Sequence, residues 1–234
     1  MSANVAVVVG AGPGLGSALC HRFAQGGMTV AAARRTGEKA QALADEIGGK
    51  AYSCDVAERQ QVEDLFARVS RELGAPELVV FNAGTFQPGG LLDISAEQLA
   101  GNWQVGCLGG FHVAQAAARA MLPQGRGTLI FTGATASLRG GKGFANLAVP
   151  KFGLRALAQS LARELWPQGI HVAHTLVDGQ IRNEDRGGRY SEAERGADAL
   201  LHPEAIAEAY WSLHQQPRNA WTHELDLRPW VEPF

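Results

Sequence analysis

The sequence predicts an α/β chain with a three-layered, doubly wound parallel sheet of about seven strands. Two observations carry this prediction. Short apolar runs recur at 5–9, 29–33, 51–53, 78–81, 128–132, 170–175 and 225–227. Helix-compatible stretches separate nearly all of them, the alternation expected of a parallel sheet covered on both faces. The first run, Val5-Ala6-Val7-Val8-Val9, passes directly into Gly10-Ala11-Gly12-Pro13-Gly14-Leu15-Gly16 and then into an apolar-periodic stretch ending at Gln25. That reads as strand, tight turn and helix. Right-handed crossovers place the ligand crevice of such a sheet at the carboxyl ends of its strands, where the informative residues of this chain cluster.

Bulk properties narrow the function. The 234 residues suit one well-buried domain spanning 1–234, and 46% apolar with 19% charged residues is an ordinary globular composition. A formal net charge of −2 supplies no basic field for nucleic acid or anionic lipid. No apolar run approaches the ~20 residues of a membrane helix, and Met1-Ser2-Ala3-Asn4 leads into a strand without a signal segment, so a cytoplasmic location is expected. Cys20, Cys54 and Cys107 lack metal-type spacing and read as buried thiols.

The glycine turn after the first strand suits a dinucleotide. Its glycines let the backbone approach a pyrophosphate, whose charge is stabilised by the free N–H groups and positive end of the following helix. The spacing is Gly-x-x-x-Gly-x-Gly, and a side chain at Gly14 or Gly16 is expected to fill the pyrophosphate space; Gly10 and Leu15 complete the turn. After the second run come Arg34 and Arg35, with no carboxylate from Met28 through Gly37. Arginines there pair with an adenosine 2′-phosphate, whereas a carboxylate would accept hydrogen bonds from the ribose, so NADP(H) is the expected cofactor. Asp55-Val56 follows the third run and suits an adenine amino group and ring; read alone, Asp55 is also a good helix N-cap. Asn82-Ala83-Gly84 ends the fourth run, with small residues that let backbone lie against a cofactor.

Together these motifs resemble the short-chain dehydrogenase/reductase family, and the resemblance runs from Val5 to about Leu227. It implies a Rossmann-type fold, a nicotinamide cofactor, carbonyl or alcohol redox chemistry, and a homodimer or homotetramer. The family's catalytic set is Asn, Ser, Tyr and Lys, the last two written Tyr-x-x-x-Lys. Lys151 matches, and counting back from it puts Leu147 at the tyrosine position. The resemblance puts Gly106 at the asparagine and Ala134 at the serine, with Thr132, Thr135 or Ser137 offered by a shift of register. The enoyl reductase variant, with tyrosine seven residues before the lysine, finds Phe144 there. Gly179 and Ile181 fall where the family contacts the nicotinamide, and Asp178 replaces its usual proline and reads as a turn residue in preference to a polar contact to substrate or cofactor.

Two functions follow as expectations. One is an NADP(H)-dependent oxidoreductase acting on an apolar carbonyl or enone through a nonstandard proton path. The other is a catalytically silent NADP(H)-binding protein, a redox sensor or partner subunit. The glycine-containing, charged segment 179–202 reads as an irregular insertion, either a substrate lid or a plain surface connection, in which Tyr190 is a candidate proton donor. His171 and His174 read as structural strand residues, with no partner visible in the sequence. The tail from Trp230 to Phe234 suits an oligomer contact.

Overall fold

The computed structural model describes residues 4–183 and 190–232. Its elements are, in chain order, β1 (Val5–Val9), α1 (Leu15–Gln25), β2 (Thr29–Arg34), α2 (Gln41–Glu46), β3 (Lys50–Ser53), α3 (Arg59–Glu72), β4 (Pro76–Phe81) and α4 (Ala96–Trp103). Then follow α5 (Gly109–Met121), β5 (Gly127–Thr132), α6 (Ala145–Leu165), β6 (Ile170–Val177), α7 (Glu192–Arg195), α8 (Pro203–His214) and β7 (Glu224–Leu227). The strands form one seven-stranded sheet in the order β3-β2-β1-β4-β5-β6-β7, and every pairing is parallel. The predicted doubly wound α/β architecture is therefore present, with its strand order reversing between β1 and β4. Ligands of such sheets bind at that switch point.

The period-2 alternation of β1 shows how the sheet is held. Val5, Val7 and Val9 enter one core with Phe81, Phe131, Val113 and Leu154, the side covered by α3, α5 and α6. Ala6 and Val8 enter the other with Leu19, Phe23, Ile130 and Tyr210, the side covered by α1 and α8. A central parallel strand buried on both faces must be apolar throughout, and all five residues of β1 are buried. β6 runs to Val177, two residues beyond the predicted run, because all eight of its residues are buried and it pairs with β7 through Val177 and Leu227.

Three expectations are corrected here. Asp55 does not cap α3: the N-cap residue is Glu58, and the Asp55 carboxylate instead accepts from the Ala57 backbone N–H at 3.1 Å. Asp178 is no loose turn residue but is 3% exposed. Its backbone N–H donates to Leu227 O at 2.8 Å, extending the β6–β7 ladder, and its carboxylate meets the Arg228 guanidinium at 3.0 Å. The segment 179–202 is not irregular throughout. Its ends are laced by Leu201 N–H to Gln180 O and Arg182 N–H to Leu201 O, both 2.9 Å, and it contains α7. Residues 184–189 of that segment, and Pro233 and Phe234 of the aromatic tail, lie outside the described residues.

The strand histidines have partners after all. His171 Nε2 lies 2.8 Å from Thr222 O. His174, with no exposed side-chain surface, places Nδ1 3.0 Å from a Glu224 carboxylate that Arg155 also holds at 2.7 Å. Both histidines pin the edge strand β7 and the segment before it to β6. No helix among the described residues is long and apolar enough to cross a membrane. Burial pushes the Cys20 and Cys54 thiols up to about 12, so both are inert at neutral pH.

Candidate nucleotide and substrate site

The carboxyl ends of the strands open into three cavities that share lining residues. One, of about 320 Å³, lies over β2 and β3 and is lined by Arg34, Arg35, Thr36, Lys39, Asp55 and Val56, with Asn82, Ala83 and Gly84 at its inner wall. The second, of about 340 Å³, is bounded by Gly10, Gly12, Gly14, Leu15, Gly16, Asn82, Ala134, Lys151, Gly179 and Ile181. The third, of about 460 Å³, adjoins it through Ala134, Val177, Gly179 and Gln180 and extends past Leu147, Phe86 and Phe144. The cofactor-binding candidates together with Ala134, Leu147 and Lys151 thus line adjoining parts of one crevice, whereas Gly106, Ser137 and Asp178 are not among its lining residues.

The glycine turn is built by backbone geometry. Gly10 and Gly14 have φ of +101° and +86°, values that side-chain-bearing residues rarely adopt. At Gly10 a Cβ would also stand 2.7 Å from Asn82 C and Ala83 N. Asn82 supports the turn directly, its side-chain amide donating to Gly10 O at 3.1 Å. The expectation for Gly16 is corrected: a Cβ there would meet Gly10 O at 2.3 Å, so this glycine lets α1 sit against the turn and does not clear ligand space. Gly14 is constrained by its φ, since a Cβ there would meet only Asn183 Nδ2, at 3.8 Å. The first turn of α1 faces the second cavity, where its leading N–H groups have no intrahelical acceptor.

Lys151 is not the exposed helical lysine its surroundings in the sequence allow. It is 8% exposed, its Nζ donates to Thr132 O at 2.6 Å, and it lies 3.9 Å from a Cβ built on Gly84. Burial lowers its pKa to about 8. The ammonium is thereby fixed at the junction of β4, β5 and α6, on the wall of the second cavity.

The hydroxyls near Ala134 are committed elsewhere. Ser137 is fully buried and accepts from the Ala134 backbone N–H at 3.2 Å. Thr132 accepts from the Tyr210 hydroxyl at 3.0 Å. Thr135 lines the third cavity but donates its proton to Asp178. Ala134 itself faces both the second and third cavities, and Leu147 faces the third.

Gly106 lies outside the crevice lining, within a one-turn π-helical segment, Gln104–Leu108, that joins α4 to α5. A Cβ at this position would stand 2.9 Å from Pro150 Cβ. Pro150 is inside α6, immediately before Lys151. The absence of a side chain at 106 and the proline at 150 are therefore sterically coupled, and an asparagine at 106 does not fit beside Pro150.

Sequence reading missed several lining residues. Lys39 joins Arg34 and Arg35 around the first cavity, its carbonyl accepting from Arg34 Nη1 at 3.5 Å. Gln180, Arg182 and Asn183 close over the second beside Tyr190. Lys39 lies only five residues beyond Arg34, so its place was open to inspection. The other three owe theirs to the Ile181–Leu201 bridge, a contact between residues far apart in the chain. Among the described residues no cluster of His, Cys, Asp and Glu is arranged to hold a metal ion.

Comparison with known proteins agrees with this geometry. The family profile described as short chain dehydrogenase matches residues 4–180. The chain is 31% identical over 212 residues to a human 3-oxoacyl-[acyl-carrier-protein] reductase, covering 85% of this chain and 90% of the relative. Among solved structures, a short-chain dehydrogenase from Rhodopseudomonas palustris is 39% identical with a TM-score of 0.84, covering 97% of this chain and 99% of that one. A metagenomic short-chain oxidoreductase in complex with NADP is 26% identical with the same TM-score of 0.84 and 99% coverage of both chains. In fold, in the site at the sheet's switch point and in sequence, the chain belongs to the short-chain dehydrogenase/reductase family.

Proposed function

We propose that the chain is an NADP(H)-dependent oxidoreductase whose reducible substrate is an apolar carbonyl or enone, with a proton path that does not use the family's tyrosine. One observation carries the reading: three cavities join along the strand ends, basic at one end, apolar at the other, with the buried Lys151 on the wall between. Arg34 and Arg35, with Lys39 beside them, hold the 2′-phosphate through charge-assisted hydrogen bonds. Asp55 and Val56 flank the adenine, and Asn82, Ala83 and Gly84 lie along the adenosine. The N–H groups at Gly14, Leu15 and Gly16 face the pyrophosphate. Lys151, Gly179 and Ile181 hold the nicotinamide ribose and amide. When bound, NADP(H) supplies or accepts the hydride.

The protein's own part is orientation and the exclusion of water. Lys151 holds a positive charge fixed by its bond to Thr132 O, and the apolar wall of Phe86, Phe144 and Leu147 keeps the reacting end dry. Tyr190 lines the second cavity, which supports assigning its phenol as the proton donor. A second reading, an NADP(H)-binding protein without turnover, is favoured by Ala134 and Leu147, neither of which carries a proton where the resemblance puts serine and tyrosine. The protein acts in the cytoplasm as a homodimer or homotetramer, a role that suits Trp230, 81% exposed. Residues 1–234 serve as a single dinucleotide-binding domain.

Screening purified protein with NADPH against apolar aldehydes, ketones and enones separates the readings. Cofactor oxidation that requires an added carbonyl, and that Tyr190→Phe reduces, supports the enzyme. Tight NADPH binding with no oxidation across the panel supports the silent binder.

Lys151 also gives the site a pH signature. Its pKa of about 8 lies below the usual 10.5, with burial the cause, so the unliganded site carries the positive charge below pH 8 and loses it as pH rises through that value. NADPH affinity is expected to weaken on going from neutral pH to about one unit above the lysine's pKa, and Lys151→Met to flatten that dependence. Isothermal titration at the two pH values checks this; equal pH dependence in the two proteins contradicts the assignment.

A further inference from the structure

The third cavity is walled by Phe86, Phe144, Leu147, Ala136 and Val177, and its one charged lining residue is Arg139. Phe86 and Phe144 pack ring on ring, 5.1 Å between centroids, yet remain 38% and 39% exposed. Apolar surface of that kind is stabilised by covering it, and about 460 Å³ falls in the range of small-molecule sites.

Several described arginines stand outside any ion pair, and of these Arg139 is the one that lines this cavity. Arg22, Arg59, Arg68, Arg71, Arg119, Arg126, Arg155, Arg182 and Arg228 all sit within ion-pair distance of carboxylates. Arg139 makes no ion pair and no side-chain hydrogen bond among the described residues. The carboxylate of Asp178, which follows the lining residue Val177, is held by Arg228 and by the Thr135 hydroxyl. Among the described residues no carboxylate lies within ion-pair distance of the Arg139 guanidinium. An apolar cleft with one cation at its edge is complementary to an amphiphile with a single negative charge, since an anion gains a charge-assisted contact that a neutral ligand lacks and a cationic one would be repelled.

We propose that this cavity binds an apolar carboxylate, with its hydrocarbon part against Phe86, Phe144 and Leu147 and its carboxylate on Arg139. Ala134 and Gly179 are shared with the cavity beside Lys151, so a chain running inward from Arg139 reaches the reacting end of the crevice. The identification of this ligand as the substrate class rests on the oxidoreductase reading; the binding itself does not.

The test uses octanoate and its neutral match octanamide, titrated calorimetrically into the full-length protein without nucleotide, with NADPH titrated separately. Octanoate is expected to bind at least tenfold more tightly than octanamide. Arg139→Gln removes that difference, Arg139→Lys restores part of it, and Phe144→Ala weakens both ligands. Arg139 is exposed, so its variants are expected to fold, and an unchanged NADPH titration shows that they have. Equal affinity for the two ligands, octanoate binding indifferent to Arg139→Gln, or no binding of either ligand overturns the proposal. Each of these leaves the nucleotide reading standing if NADPH still binds. Loss of NADPH binding with Arg139-dependent octanoate binding intact overturns the oxidoreductase reading and leaves the carboxylate site.

Discussion

The double substitution Ala134→Ser with Leu147→Tyr is expected to raise carbonyl reduction by about 10²–10⁴-fold over the parent. A positioned general acid contributes about that much. A hydroxyl at 134 adds stabilisation of the developing oxyanion, about 10²–10³ alone, less in combination because groups acting as a unit are not additive. The geometry favours the gain: both positions already line the third cavity, so the larger side chain enters open space and not packed core. Lys151 is in place one helical turn beyond position 147, and its charge lowers the pKa of an introduced phenol. Gly106 must stay, because a side chain there meets Pro150, so the gain should reach only part of what a full set provides. Initial rates with a simple enone measure it. A double variant that binds NADPH as the parent does and shows no gain would mean that Leu147 does not occupy the acid's place.

The second large effect is a loss of stability in mild acid. Burial is the main cause that lowers His174 and His214 from 6.5 to about 4, and for His174 it outweighs the opposing bond to Glu224. Lys151 and Arg155 press the His174 pKa in the same downward direction. A base whose folded pKa is depressed is neutral in the native state while its unfolded counterpart binds a proton. Stability contributed this way is complete above about 6.5, falls as pH drops toward about 4, and changes no further below it. Each histidine fully expressed is worth about 3 kcal/mol over that range. His171, lowered by the same cause, adds to it. Glu224 is held below the usual carboxylate range by Arg155 first and His174 second, so the upper part of the window belongs to histidine. Urea midpoints measured from neutral pH down to about 5 should fall steeply, and His174→Gln should make the slope shallower by about one proton. A midpoint constant over that interval would contradict the assignment of neutral buried histidines. β7 is the element expected to loosen first, since Glu224 and Thr222 are the partners His174 and His171 hold.

Much of the fold was legible because its signals are local. β1 and its turn are written in consecutive residues, and the alternation of short apolar runs with longer periodic stretches fixes a parallel sheet without any long-range information. Lys151 was legible as part of a spaced motif, and Arg34 and Arg35 by their position at a strand end. Legibility failed where a residue's role depends on a partner distant in the chain. Asp178 reads as a turn former until Arg228, fifty residues on, is folded against it. The requirement for glycine at 106 cannot be seen without Pro150. Gly16 looks like a ligand-clearing glycine because its true neighbour, the carbonyl of Gly10, is a backbone atom that no residue type announces. Arg139 carries no motif at all; only the cavity around it gives it meaning.

The central claim is that this crevice holds NADP(H) through its basic end. A paired titration of the parent and of Arg34→Ala with NADPH and NADH, followed by nucleotide fluorescence, tests it most directly. NADPH is expected to bind more tightly than NADH in the parent, and Arg34→Ala to weaken NADPH by roughly tenfold or more while leaving NADH nearly unchanged, as the loss of a charge-assisted contact to one phosphate requires. Equal affinity for the two nucleotides would contradict the NADP(H) assignment, and no binding of either would remove the oxidoreductase and the silent-binder readings together.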